Sequence, residues 1–509
     1  MIEFLENSTV AKYSTKIAVI DGGREIDFLS LTKKAKALAR EIIIKNYELN
    51  IPIAVFLPKS IEGVIADIAI TYSGNIYMNL DVKNPESRIN NILKKIKPGI
   101  IITNTVLALR LKSFCIDNTI ILNIDETNFT EYFNDEIIFQ RLQSIIDTDP
   151  YCIINTSGST GTPKGVVLNH KSFIDFTKWA IDTLKITDEE IIGSLSPCYF
   201  DIYSFELCLL MVKGSTFVII PDQLATFPAT LLEYLQQKSI NFIFWVPTIM
   251  VNIANLDLLS SYQLKDLKKI WFAGEVFPTR HLNYWRDSLP HPTFTNLYGP
   301  IEITLDCTYY NIEEKFPDDT PIPIGYPCRN TDILILNEED KVAAINEKGE
   351  LCVRGTSLAL GYYNDAENTS KAFVQNPLNK SYPEIIYRTG DIVYKNEKGL
   401  IIFIGRKDFQ VKHLGYRIDL SEVEHIIVNT WGKISNACVL YDQEKKQICL
   451  FYEADNEIAP STFRKELMNY LPKYMVPNNF RFLQELPRNS NGKIDRNLIK
   501  TMIDNEISS

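Results

Sequence analysis

Residues 151–165 read YCIINTSGSTGTPKG, in which an apolar, strand-like run over 151–155 breaks directly into Thr156, Ser157, Gly158, Ser159, Thr160, Gly161, Thr162, Pro163, Lys164 and Gly165. A loop of this composition exposes backbone N–H groups, adds hydroxyl donors and puts no bulky side chain in the way of a polyphosphate. Phosphate binding is its natural use. It is not a Walker A loop, because Lys164 is followed by Gly165 where that motif requires Ser or Thr.

Outward from this loop, short runs rich in β-branched residues recur at 51–57, 99–103, 119–124, 151–155, 216–220, 241–246 and 269–273, with helix-like segments such as 31–44 and 85–96 between them. That is the βαβ rhythm of mostly parallel sheets covered by helices. From residue 331 the pattern changes to strand-like pieces at 333–336, 349–353, 385–387 and 400–404, joined by Gly- and Asn-containing turns. The end of the chain differs again, with a helix expected over 421–430, a hairpin over 437–452 and a helix over 460–471. The expected fold class is therefore α/β. A large N-terminal α/β region with a β-rich subdomain, 1–407, precedes a small α+β C-terminal domain, 408–509, with the boundary at 405–408.

The composition narrows the function. At 509 residues, 45% of them hydrophobic and 23% charged, the chain is too long for a single core. Its net charge of −10, with no lysine- or arginine-rich run, argues against a nucleic-acid partner. The opening segment MIEFLENSTVAKYSTK has no signal-peptide core, and no later window approaches about 18 uninterrupted apolar residues, so no membrane association and a cytoplasmic location are expected. Nine scattered cysteines without a CxxC pair read as free thiols of a reducing compartment. Five histidines without HxxxH or HExxH spacing give no zinc site, so any metal should arrive with the nucleotide.

The string TSGSTGTPKG resembles the phosphate loop of the acyl-adenylate-forming superfamily, which includes nonribosomal-peptide adenylation domains, acyl-CoA synthetases and firefly luciferases. Further matches follow in family order: LDVKNPESRI (80–89), NLYGPIE (296–302), GELCVRGTSLALGYY (349–363), YRTGD (387–391), GRKDFQVKHLGYRID (405–419) and NGKIDR (491–496). The resemblance implies ATP and Mg²⁺ as cofactors. Lys493, Glu302 and Lys164 would be the catalytic residues. Thr156, Ser157, Gly158, Ser159, Thr160, Gly161 and Lys164 would cradle the phosphates, with Glu302 holding Mg²⁺. Tyr298 would stack on adenine and Asn296 would bond its amino edge, with Gly274, Glu275 and Gly299 lining the same side. Asp391 would accept from the ribose hydroxyls with Arg406 nearby. Lys493 would reach between the substrate carboxylate and the α-phosphate, and the small C-terminal domain would be mobile about a hinge at Asp408. Position 301 is Ile where the family usually has Thr.

Within FDIYSFEL (200–207), Asp201 falls where the amino-acid-activating branch pairs an aspartate with the substrate's α-ammonium. Carrying over the remaining pocket positions gives Ile202, Phe205, Phe244, Trp271, Ala273, Leu297, Leu305 and Asp306, a set that is similar to stand-alone prolyl-AMP ligases. Asp306 departs from their pattern and could meet the imino nitrogen, bind a ring hydroxyl or point elsewhere. AGEVFP (273–278) and DFQVKHLGYRIDLSEVE (408–424) resemble D-alanine–carrier-protein ligases, the alternative, and an acyl-CoA synthetase is a third reading. Asp-Ser-Leu at 287–289 lacks the preceding Gly of a phosphopantetheine site, and sixteen residues follow Lys493, so a separate phosphopantetheinylated carrier protein is the expected acceptor.

Overall fold

The computed structural model describes residues 1–114, 118–129, 135–157, 163–407, 410–431, 433–434, 436–454, 456–488 and 494–507. The chain divides into two compact units. Met1–Val82, Ile96–Ile154 and Gly165–Lys407 form one; Lys83–Lys95, Asn155–Lys164 and Asp408–Ser509 form the other.

Among the described residues the first unit rests on two large sheets. One has nine strands in the order Tyr326–Pro327, Thr308–Asn311, Thr293–Tyr298, Lys269–Phe272, Phe242–Trp245, Ile191–Ser194, Thr216–Ile219, Ile17–Asp21, Arg24–Asp27. From Thr293–Tyr298 to Ile17–Asp21 every pairing is parallel, and both edges are closed by antiparallel strands. The other sheet has seven strands in the order Gly361–Tyr362, Lys164–Asn169, Pro150–Thr156, Ile76–Asn79, Pro52–Phe56, Ile100–Thr103, Ile120–Asn123. Strands such as Phe242–Trp245 and Pro52–Phe56 are buried along their whole length, which is why they read as continuous apolar runs. A smaller antiparallel sheet, Thr331–Leu336, Gly349–Gly355, Ile385–Lys395 and Phe373–Gln375 with Ile401–Arg406 paired to the third strand, is the β-rich subdomain. The strand expected over 385–387 runs on to Lys395, so Asp391 lies within a strand.

Side-chain caps fix the helix starts. Asp27 accepts from Ser30 N at 2.7 Å to open Phe28–Lys45, and Ser60 accepts from Gly63 N at 3.2 Å to open Ile61–Tyr72. Ile61–Tyr72 is buried on every side except at Glu62, which leaves its one other charge, Asp67, in the core. Among the described residues no helix is long and apolar enough to cross a membrane.

The second unit has a core of Val423, Ile427, Val439, Leu450, Phe463 and Leu467. Its sheet is Asn436–Asp442, Gln447–Glu453 and Asn479–Phe482, accompanied by the hairpin Gln410–His413 and Tyr416–Asp419. The helix expected over 421–430 is α-helical only over Leu420–His425 and then widens into a π-type turn, Ile426–Trp431. Arg88 Nη1 and Glu422 Oε1, 2.5 Å apart, make a buried ion pair inside this unit.

Candidate active site

The first unit holds the residues expected to meet the nucleotide, two of them, Asn296 and Tyr298, toward the C-terminal end of strand Thr293–Tyr298. Open parallel sheets place their ligands at that end. Asn296 donates Nδ2–H to the Pro323 carbonyl at 2.8 Å, which presents Oδ1 as the amide's acceptor. The Tyr298 hydroxyl donates to Asp391 Oδ2. Burial first, and then the charge of Asp391, push that phenol well above its ordinary range, so it stays a donor. Asp391 Oδ1 accepts from Arg406 Nη1 at 2.5 Å, and Arg406 Nη2 donates to the Thr389 carbonyl at 3.0 Å. Asp391 and Arg406 are direct cross-strand neighbours, so the pair is fixed by register. Glu302 lies in a short 3₁₀ turn, Ile301–Ile303, and is buried; its Oε1 accepts from the Tyr362 hydroxyl at 2.9 Å.

Gly274 sits at φ 91° after strand Lys269–Phe272. Glu275 is spent on structure: its Oε2 accepts from Thr248 N at 2.9 Å and Thr248 Oγ1 at 2.6 Å, capping helix Pro247–Asn255.

On the other side of the site, helix Asp201–Lys213 has Phe200 at its N-cap, so Asp201 stands inside the first turn. Its Oδ1 accepts from Ile202 N at 2.9 Å, and both side chains are half-buried. Phe205, four residues on, shares the face of Asp201. Phe205 stacks on Trp271 with centroids 5.9 Å apart and planes at 17°. Phe244, directly opposite Trp271 on the neighbouring strand, meets it edge-on at 5.7 Å. These three rings, with Ala273, Leu297 and Leu305, belong to one buried cluster, and Ile202 packs against it. Asp306 is buried as well.

In the second unit, Thr156 Oγ1 donates to the Lys164 carbonyl at 3.5 Å. Ser157 Oγ donates to the Arg417 carbonyl at 2.9 Å and accepts from Asp419 N at 3.0 Å, so that hydroxyl is engaged by hairpin backbone. Gly158, Ser159, Thr160 and Gly161 of the loop, Asp408 and Lys493 lie outside the described residues.

A family model for AMP-binding enzymes matches residues 7–363. The chain belongs to the AMP-binding enzymes. Zwittermicin A synthase ZmaJ of Bacillus cereus is 29% identical to it over 506 residues, 98% of this chain and 94% of the relative. Tyrocidine synthase 1 of Brevibacillus parabrevis is 29% identical over 487 residues, 95% of this chain but only 43% of the relative, so the chain spans less than half of that protein's length. Among solved structures, the Vibrio cholerae adenylation domain AlmE, in complex with glycyl-adenosine-5'-phosphate, superimposes with a TM-score of 0.85 at 20% identity, covering 99% of this chain and 97% of that one.

In this AMP-binding enzyme Gly299 packs directly against the turn that carries Leu305 and Asp306. A Cβ there would lie 2.3 Å from the Leu305 carbonyl oxygen and 2.5 Å from Asp306 Cα, both backbone atoms. The turn that presses on it is itself constrained, with Thr304 and Leu305 at φ 54° and 67°. Gly299→Ala is expected to lower stability by about 1–3 kcal/mol and to displace Leu305 and Asp306. Urea unfolding checks the first effect and the amino-acid KM the second; a variant unchanged in both would show that the turn yields freely.

Three residues are not singled out by the motif strings: Tyr362, which holds Glu302, and the buried acids Asp67 and Glu206, although Tyr362 and Glu206 lie inside the strings 349–363 and 200–207. Glu206 is fully buried, accepts from Ser194 Oγ at 2.6 Å, and has its carboxyl pushed up by burial. The one sequence signal for Asp67 is a charge inside the otherwise apolar run VIADIAI (64–70).

Proposed function

We propose that this AMP-binding enzyme activates an amino acid, L-proline by preference, as an aminoacyl-adenylate, and then passes the acyl group to the phosphopantetheine thiol of a separate carrier protein. The observation that carries the reading is Asp201: a half-buried carboxylate in the first turn of a helix, on the face of Phe205, which packs against the buried rings of Phe244 and Trp271. A carboxylate in such surroundings pairs well with a cation, and the α-ammonium or the protonated ring nitrogen of an amino acid is one. AlmE, which has the same fold, binds a glycyl-adenylate.

In the first step a carboxylate oxygen of the amino acid attacks the α-phosphorus of ATP, the bond to the bridging β-phosphate oxygen breaks, and pyrophosphate leaves with that electron pair. Two anions must be brought into line, so cations are needed at both. By the family resemblance Lys164 serves the phosphates and Lys493 the developing charge between carboxylate and α-phosphate. Asp391 accepts from the ribose hydroxyls, while Tyr298 and Asn296 address the adenine. Among the described residues no group of three or more His, Cys, Asp or Glu could hold a metal ion. One buried carboxylate completed by phosphate oxygens is what Mg²⁺ accepts, and Glu302 is that carboxylate. Bound there, Mg²⁺ neutralises phosphate charge. In the second step a carrier thiolate attacks the acyl carbon and AMP departs. The resemblance assigns this step to a second arrangement of the segment beyond residue 407, reached by a hinge at Asp408 that withdraws Lys493.

Proline over alanine follows from the wall of Phe205, Phe244 and Trp271, which a saturated ring covers better than one methyl. Two or three further buried methylenes contribute roughly 0.8 kcal/mol each, which makes at least a ~tenfold preference. The second reading, D-alanine, rests on the strings AGEVFP (273–278) and DFQVKHLGYRIDLSEVE (408–424), which resemble D-alanine–carrier-protein ligases. Mg²⁺-dependent ATP–pyrophosphate exchange across the amino acids and simple carboxylic acids decides. Proline should stimulate most. Equal or better stimulation by D-alanine moves the assignment to the second reading, and stimulation by unaminated acids alone would sink both.

A further inference from the structure

Beneath the helix that starts at Asp201, three buried residues from three elements converge. Asp67 of helix Ile61–Tyr72 is 0% exposed, Asn79 at the end of strand Ile76–Asn79 is 5% exposed, and Tyr203 in the first turn of Asp201–Lys213 is 1% exposed. Asn79 Nδ2 donates to Asp67 Oδ1 at 3.2 Å and Oδ2 at 3.1 Å, and the Tyr203 hydroxyl donates to Oδ2 at 2.8 Å. Two donor groups thus make three hydrogen bonds to one fully buried carboxyl.

We propose that Asp67, held by Asn79 and acting through the Tyr203 hydroxyl, is a positioning residue for Asp201 and so governs affinity for the amino acid without touching it. Residues two apart on a helix lie about 200° apart around its axis, so Tyr203 anchors the back of the turn whose front carries Asp201 and Phe205. The hydroxyl ties that turn to a second helix and a strand of the adjoining sheet, and it limits both the rotation and the axial slide of the first turn. An apolar residue at position 67 would be easier to bury, because a lone carboxyl in an apolar core is expensive to desolvate. Burial indeed raises the Asp67 carboxyl to about 7, against the opposing pull of the Asn79 and Tyr203 donors. Placing an acid there gains direction: the carboxyl fixes where the tyrosine ring ends, as a methyl group cannot.

This inference rests on the reading that Asp201 meets the substrate's amino group, and the test separates the two. ATP–pyrophosphate exchange is measured on the full chain with L-proline, or with D-alanine should the substrate survey favour it, for Tyr203→Phe, Asp67→Asn, their combination, and Asp201→Asn. Tyr203→Phe keeps the ring and removes only the hydroxyl. It should raise the amino-acid KM roughly five- to tenfold while the ATP KM and kcat stay near those of the parent; the thermal midpoint should fall modestly, because the buried Asp67 carboxyl loses one donor. The double variant should be no worse than the worse single variant, as expected for residues acting through one contact. A Tyr203→Phe protein with unchanged amino-acid KM overturns the proposal; so does one in which both KM values rise together as the thermal midpoint falls. If Asp201→Asn leaves the amino-acid KM unchanged, it is the assignment of Asp201 that fails. If Asp201→Asn raises it and Tyr203→Phe does not, only the positioning role falls.

Discussion

Glu302→Gln is expected to reduce amino-acid-stimulated pyrophosphate exchange by about 100- to 1000-fold, the usual effect of removing one group that stabilises transferring charge. The substitution is nearly isosteric. The amide oxygen of glutamine can still accept from the Tyr362 hydroxyl, and the backbone carbonyl at 302 still accepts from Ala359 N, so the turn Ile301–Ile303 should persist. What disappears is a negative charge in a buried place, where a charge acts strongly because little water screens it. If that charge holds Mg²⁺ against the phosphates, the loss should be deepest at low Mg²⁺ and partly recovered as Mg²⁺ is raised, whereas the thermal midpoint should move little. The check is a Mg²⁺ titration of exchange in parent and variant. Activity within about tenfold of the parent at every Mg²⁺ concentration would remove Glu302 from the metal's ligands.

The strands that the sequence reveals most clearly are those buried on both faces. Phe242–Trp245, and Ile270–Phe272 within the strand Lys269–Phe272, are continuous apolar runs because these strands are buried in a parallel sheet. Ile191–Ser194 in the same sheet is not legible, because Gly193 and Ser194 dilute its apolar character; a Cβ at 193 would meet Ile240 Cγ2 at 2.8 Å, so glycine is there for packing. Helix 421–430 misleads for a different reason. Its apolar spacing continues past His425, yet the chain widens into a π-type turn to bury Ile426, Ile427 and Trp431. In the site, position by position, motif strings locate Asn296, Tyr298, Glu302, Asp391 and Arg406, since each needs only its own neighbours in sequence to be recognised. They cannot show that Glu275 caps a helix or that Ser157 is engaged by residues 417 and 419, because those partners are far away along the chain. The Asp67–Tyr203 bond spans 136 residues; Asp67 lies in no motif, and the string FDIYSFEL around Tyr203 does not reveal so distant a partner.

Asp391→Ala is expected to lower the stability of the first unit by about 3–5 kcal/mol, because it strands a partly buried guanidinium. Arg406 is 14% exposed at its side chain and its Nη1 donates to Asp391; the Tyr298 hydroxyl loses its acceptor in the same stroke. The structural role and the proposed ribose role of Asp391 would both depress activity, so the single variant cannot separate them. The pair of variants can. In Asp391→Ala/Arg406→Leu neither charge remains to be stranded, and an apolar side chain fills the cross-strand position, so most of the lost stability should return. The ribose acceptor does not return. Urea unfolding should therefore place the double variant well above the single variant, short of the parent by the acceptor that Tyr298 still lacks, while its ATP KM stays as high as that of the single variant. The carboxylate has lone pairs beyond the two that Arg406 and Tyr298 occupy, so it can hold both partners and still accept from a ribose hydroxyl. Recovery of the ATP KM along with stability would mean that Asp391 serves only to neutralise Arg406, and the ribose contact would have to be sought on another residue.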